Sequence, residues 1–176
     1  DLYCKLLNEA VLALKGQKEE EDFETAVDCD IDAYIPSSYI RNEYQKLDVY
    51  KRISGIENQE EYMDMQDELM DRFGDIPRPV ENLLLIAELK AMAHRAGVTE
   101  VSINRQEITL KMFKKAKLDV SGIPPIMDKY KGFLTLRTGD APCFFYRDGR
   151  NKNKDCEPMI RKTKELLEAL SDLAEV

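Results

Sequence analysis

Between residues 80 and 92 the chain carries Val80, Leu83, Leu84, Leu85, Ile86, Leu89 and Met92, which cover almost the whole circumference of a helix. A helix apolar on every side has no face to give to water, so it must run through the centre of the fold that contains it. A proline at its start and Gly97 just past its end bound it at about 79–96. Everything else has to be arranged around this element.

Upstream the apolar spacing is also helical. Leu2, Leu6, Leu7, Val11 and Leu14 predict a helix over 2–15, ended by Gly16 and followed by the acidic run Lys18–Asp22. Pro36-Ser37-Ser38 offers a start for a helix running to about Ser54, with Ile40, Tyr44, Leu47, Tyr50 and Ile53 as its buried side. Asn58 and Glu61 form a capping-box pattern. The helix they open carries Tyr62, Met65, Leu69 and Phe73 on one narrow stripe and ends at Gly74, with Pro77 beyond.

Elsewhere the period is two. Val27, Cys29 and Ile31 alternate with Asp28, Asp30 and Asp32, which predicts a strand over about 25–32 with the carboxylates outward. After Gly97 the same alternation gives Val101 and Ile103, then Ile108, Leu110 and Met112, with Asn104–Glu107 as a hairpin loop. A short helix at 123–130 and two strands at 133–136 and 144–146 follow. An amphipathic helix at about 157–174 closes the chain, using Ile160, Thr163, Leu167, Leu170 and Ala174. The expected class is α+β: about four helices packed with a small antiparallel or mixed sheet and a C-terminal helix.

With 43% hydrophobic and 34% charged residues, the chain can build a core without metal or disulfide staples, and it is not a low-complexity sequence. No apolar run approaches the ~20 residues that span a bilayer, and no signal segment opens the chain. The expected setting is therefore cytoplasmic, with no membrane partner and reduced cysteines. Because it opens at Asp1 rather than Met, the chain is expected to be a fragment or processed piece of something longer. The net charge of −8 is uneven: residues 1–110 hold 12 Lys+Arg and 24 Asp+Glu, whereas residues 111–176 hold 14 and 10. The acidic front repels a phosphate backbone, so nucleic acid would have to meet the back half.

Catalytic and metal signatures are missing. Cys4, Cys29, Cys143 and Cys156 form no C-x-x-C pair, and the single histidine, His94, falls in the last turn of the central helix, where a partly positive ring suits the dipole. The Asp28, Asp30, Asp32 trio lacks the Gly and the terminal Glu of a calcium loop, since Ala33 and Tyr39 occupy those places. No nucleotide-binding glycine loop and no nucleophile elbow occurs. The domain is expected to be non-catalytic and to hold no cofactor.

Two surfaces invite a binding role. On the helix after Asn58, Glu61, Asp64, Glu68, Asp71 and Arg72 share an arc of about 100°, away from the apolar stripe. Such an arc is ordinarily just a wetted face. Here Glu68 and Arg72 stand i,i+4, able to pair with each other when free and to exchange partners when docked. The second surface is basic: Lys114, Lys115 and Lys117 in one run, Arg150 and Lys152 in another, each able to meet phosphate. The second run lacks interleaved aromatics, which favours reading it as a solubilising loop.

Four motifs in register complete the reading. They are Leu2-Tyr3-x-x-Leu6-Leu7-x-x-Ala10-Val11, Asp32-Ala33-x-Ile35-Pro36-x-x-Tyr39-Ile40, Leu47-x-x-Tyr50-Lys51-Arg52-Ile53 and Glu68-Leu69-x-Asp71-Arg72-Phe73-Gly74-x-x-Pro77. Together, over residues 2–97, they resemble the C-terminal domain of the bacterial transcription-repair coupling factor. The resemblance implies a parent that is an ATP-driven DNA translocase acting on stalled RNA polymerase, whose ATP- and Mg-binding motor lies outside this chain. It implies that residues 1–24 are a joining helix and acidic linker from that motor and that 25–176 form a regulatory domain. That domain would pack on an N-terminal excision-repair-like module of the same polypeptide and mask the surface that recruits the damage-recognition ATPase of excision repair. Carried over, the contact motif assigns Glu68, Asp71 and Arg72 to the clasp, with Met70 facing the core or its margin. The alternative is an accessory nucleic-acid-binding module using the basic back half.

Overall fold

The structure, a computed structural model, describes residues 23–114, 118–150 and 156–173. The expected helix at 2–15, the acidic run after it and Ala174 lie outside the described residues. In chain order the elements are β1 (Ala26–Cys29), α1 (Glu43–Ser54), α2 (Gln59–Phe73), α3 (Arg78–Arg95), β2 (Val98–Ile103), β3 (Glu107–Met112), α4 (Ile123–Lys129), β4 (Leu134–Arg137), β5 (Cys143–Arg147) and α5 (Glu157–Leu173).

The strands form one mixed sheet in the order β1-β2-β3-β5-β4. β1 runs parallel to β2, with Ala26 opposite Glu100 and Cys29 opposite Ile103. The remaining pairs are antiparallel. A parallel pair needs a long crossover, and the three helices α1–α3 supply it. One sheet face, carrying Val101, Ile103, Ile108, Leu110, Met112, Phe144 and Tyr146, is buried. It packs with α3 and α5 in one apolar cluster.

A second cluster lies among the helices: Ile35, Ile40, Val49, Ile53, Met65 and Leu69 close around α3. The central helix serves both, giving Val80, Leu84 and Ala87 to the helical cluster and Leu89, Met92 and Ala93 to the sheet cluster. This is why its apolar residues run round its circumference. The fold is α+β, as the change of period along the chain predicts.

Two expectations need correction. The second helix starts at Glu43, not at Pro36–Ser38. Residues 37–39 form a turn in which Tyr39 and Ile40 donate their amides to the Pro36 carbonyl, 3.0 and 3.1 Å. Asn42 provides the cap instead, its side chain accepting from the Tyr44 and Gln45 amides at 2.9 and 3.1 Å. The buried face of α1 is accordingly Val49 and Ile53, while Tyr44 is 85% and Leu47 58% exposed. Tyr50 fixes this rotation, because its hydroxyl accepts the Ile35 amide at 2.8 Å.

Met70 is also not at the core margin. It is 53% exposed, because Met65 and Leu69 define the inward direction of α2 and residue 70 lies a further 100° round.

Candidate functional site

The C-terminal end of α2 is built from the sequence outward. At its start Asn58 caps the helix by accepting the Glu61 amide, while the Glu61 carboxylate accepts from the amide of Glu57, one residue before the cap rather than the cap itself, both at 2.8 Å. Met65 and Leu69 anchor the helix in the core. At its end Gly74 takes φ +90° and returns its amide to the Met70 carbonyl at 3.1 Å. Tyr39 ties the same turn down. Its hydroxyl lies 3.1 Å from the Leu69 carbonyl and 3.0 Å from the Gly74 carbonyl, and its ring meets Phe73 at 5.7 Å between centroids.

On this fixed end stand the three residues that the resemblance assigns to a clasp. Arg72 donates to Glu68 at 3.3 Å and lays its guanidinium 4.9 Å over the Phe73 ring. Asp71 is exposed and makes no ion pair among the described residues. Glu68 has a further partner that no periodicity on one helix can reveal. Arg52 of α1 grips it with both terminal nitrogens, one of them at 2.7 Å.

Arg52 reaches Glu68 because its neighbour Ile53 is buried against α2, which leaves Arg52 at the edge of the helix–helix seam. The Arg52 hydrogen bonds, with Arg72 adding a smaller share, hold the Glu68 carboxyl below the ordinary carboxylate range. All three side chains stay accessible, at 42%, 33% and 37% for Arg52, Glu68 and Arg72.

The basic candidates are not gathered in the same way. Lys114 is exposed just past the end of β3, while Arg150 follows the end of β5. These strands are antiparallel, with Glu107 opposite Arg147 and Lys111 opposite Cys143. The two positions therefore leave opposite ends of the sheet, separated by roughly 17 Å of strand at about 3.4 Å per residue. Arg150 is also engaged, its Nε 3.1 Å from Asp148 and its guanidinium 4.5 Å over Phe133. Lys115, Lys117 and Lys152 lie outside the described residues.

A cleft of about 1050 Å³ opens beside the C-terminal ends of β1 and β2. It mixes Asp28, Asp30, Asp32 and Glu81 with Arg78 and Arg105. The Asp trio is exposed, as the strand alternation predicts, and no cluster of His, Cys, Asp and Glu among the described residues has the makings of a metal site. His94 lies 3.3 Å from the Thr25 hydroxyl and 4.6 Å from the Phe23 ring. Thr25 gives its own proton to the Val98 carbonyl at 2.8 Å, so His94 donates to it.

Cys29, Cys143 and Cys156 are free thiols; Cys4 lies outside the described residues. Burial, with smaller contributions from Cys156, Asp30 and Asp28, pushes the Cys29 thiol up to about 12. At pH 8 only about one molecule in 10⁴ then carries the thiolate, the reactive form. Iodoacetamide treatment of the native protein at pH 8, followed by peptide mass mapping, is expected to leave Cys29 unmodified. Labelling as fast as in the unfolded chain would contradict that environment.

Known proteins bear on this site. The TRCF domain family matches residues 29–123, more than half of the chain. The transcription-repair-coupling factor of Staphylococcus haemolyticus is 40% identical over 124 residues, covering 69% of this chain and 11% of that protein. The Bacillus subtilis protein of the same name is 38% identical over 123 residues, covering 69% and 10%. The chain thus spans about a tenth of the length of the curated relatives it matches. A solved structure, the C-terminal domain of a transcription-repair coupling factor, superposes with a TM-score of 0.72 at 24% identity, covering 85% of this chain and 93% of that one.

Proposed function

The chain belongs to the TRCF domain family, and on that premise we propose that it is a non-catalytic docking domain, which holds a transcription-repair coupling factor in a restrained state through the exposed end of α2. The observation that carries this reading is the cluster of Arg52, Glu68 and Arg72 beside Asp71, which makes no ion pair among the described residues. An idle wetted face holds scattered, mobile charges. This one is braced from behind by a second helix, by Tyr39 and by Gly74.

Its chemistry suits a releasable contact. Partly exposed ion pairs are worth about 0–1 kcal/mol each, so a surface built on them holds a neighbouring module without locking it. The partner in this reading is an N-terminal excision-repair-like module of the same polypeptide. The consequence of the contact is that a surface for the damage-recognition ATPase of excision repair stays covered. RNA polymerase, DNA and ATP are then met by other parts of the longer, cytoplasmic protein. No helix among the described residues is long and apolar enough to cross a membrane.

The test is made in the full-length protein. Combining Glu68→Lys, Asp71→Lys and Arg72→Glu is expected to raise its affinity for the repair ATPase about tenfold or more, the ordinary size of a coupling between two sites. Binding measured by surface plasmon resonance with unchanged affinity in the triple variant would sink the proposal.

A further inference from the structure

We propose that Arg52 is the positioning residue of this docking surface: from α1 it fixes the Glu68 carboxylate, and through it Arg72, in the arrangement that the partner module meets. The inference rests on the docking role of α2 argued above.

A carboxylate offers about four lone-pair sites. The Arg52 fork fills one on each oxygen, and Arg72 takes another on Oε2. That leaves a single direction in which Glu68 can accept from outside, and its orientation is set by a residue of a different helix.

Arg72 is constrained in turn between Glu68 and the face of Phe73, 4.9 Å away. Without Arg52, Glu68 and Arg72 would be only an i,i+4 pair on a solvated helix, worth a few tenths of a kcal/mol and conformationally loose. The fork removes that looseness before docking, and preordering of this kind lowers the entropic cost of association. Lysine does not substitute, because a compact ammonium group cannot make two parallel bonds to one carboxylate.

The experiment uses the full-length protein and the same repair-ATPase binding assay. Arg52→Met keeps the aliphatic stem and removes the fork. It is expected to raise ATPase affinity about fivefold, in the same direction as Arg72→Met, with the double variant falling well short of the product of the two effects. Arg52→Lys is expected to recover less than half of the difference, and thermal midpoints of both variants should stay near wild type.

Wild-type affinity for Arg52→Met, beside a raised affinity for the triple variant, would overturn the positioning role and leave the docking reading intact. So would a double variant whose effects multiply fully. If the triple variant itself changes nothing, the docking reading fails and this inference falls with it.

Discussion

Leu89→Ala is expected to destabilise the domain by about 3–4 kcal/mol, near the middle of the range for a fully buried leucine that leaves a cavity. Leu89 is 0% exposed and sits on α3 where the central helix meets the sheet cluster. It cannot be compensated by a shift of α3, because Ala87 and Leu84, two and five residues earlier on the same helix, are packed into the other cluster. In a chain of this size the loss corresponds to a fall in midpoint of roughly 10 °C. Thermal and urea unfolding followed by circular dichroism would measure it.

Leu47→Ala is the matched comparison. With Leu47 58% exposed, its truncation should stay within about 0.5 kcal/mol. Equal effects at the two positions would contradict the placement of either α1 or α3.

That pair of leucines also marks what the amino-acid order makes legible. α3, the β2–β3 hairpin and α5 are readable because their apolar periods are long, and burial on a face enforces the period. Leu47 misleads because the segment before it holds two helix starts, Ser37-Ser38 and Asn42. Which one acts depends on Ile40 being drawn into the core and on Tyr50 holding the Ile35 amide, both of which are tertiary contacts. Moving the start rotates the buried face, so Tyr44 and Leu47 turn outward.

The C-terminal end of α2 shows the same division. The Glu68–Arg72 pair follows from spacing along one helix, and the Gly74 stop follows from residue type. Arg52 is a different matter: it lies 16 positions from Glu68 on another helix, and nothing in local spacing links them. Met70 is apolar and flanks the buried stripe, so its exposure is decided by the rotation of α2 in the fold, not by its composition.

Gly74 carries the second large expectation, because it is where fold stability and the proposed docking role meet. Its φ of +90° and ψ of −160° fall in a region that residues with a Cβ scarcely enter, at a cost of about 1–3 kcal/mol. A Cβ placed there would find nothing within 4 Å, so crowding contributes nothing and the cost is one of backbone conformation. Gly74→Ala should therefore lose about 2 kcal/mol in thermal unfolding. Gly139→Ala, also in open space but not at positive φ, should change stability by less than about 0.5 kcal/mol, since alanine there also limits the unfolded chain.

The alanine variant has a way to lessen its strain, by relaxing the turn. Doing so moves the Gly74 carbonyl away from Tyr39 and frees the end of α2. Phe73 and Arg72 then lose their fixed seat. In the full-length protein this predicts a second effect, a rise in repair-ATPase affinity in the direction of the triple charge variant. A Gly74→Ala protein that loses stability while its ATPase affinity stays at the wild-type level would separate the turn from the docking surface.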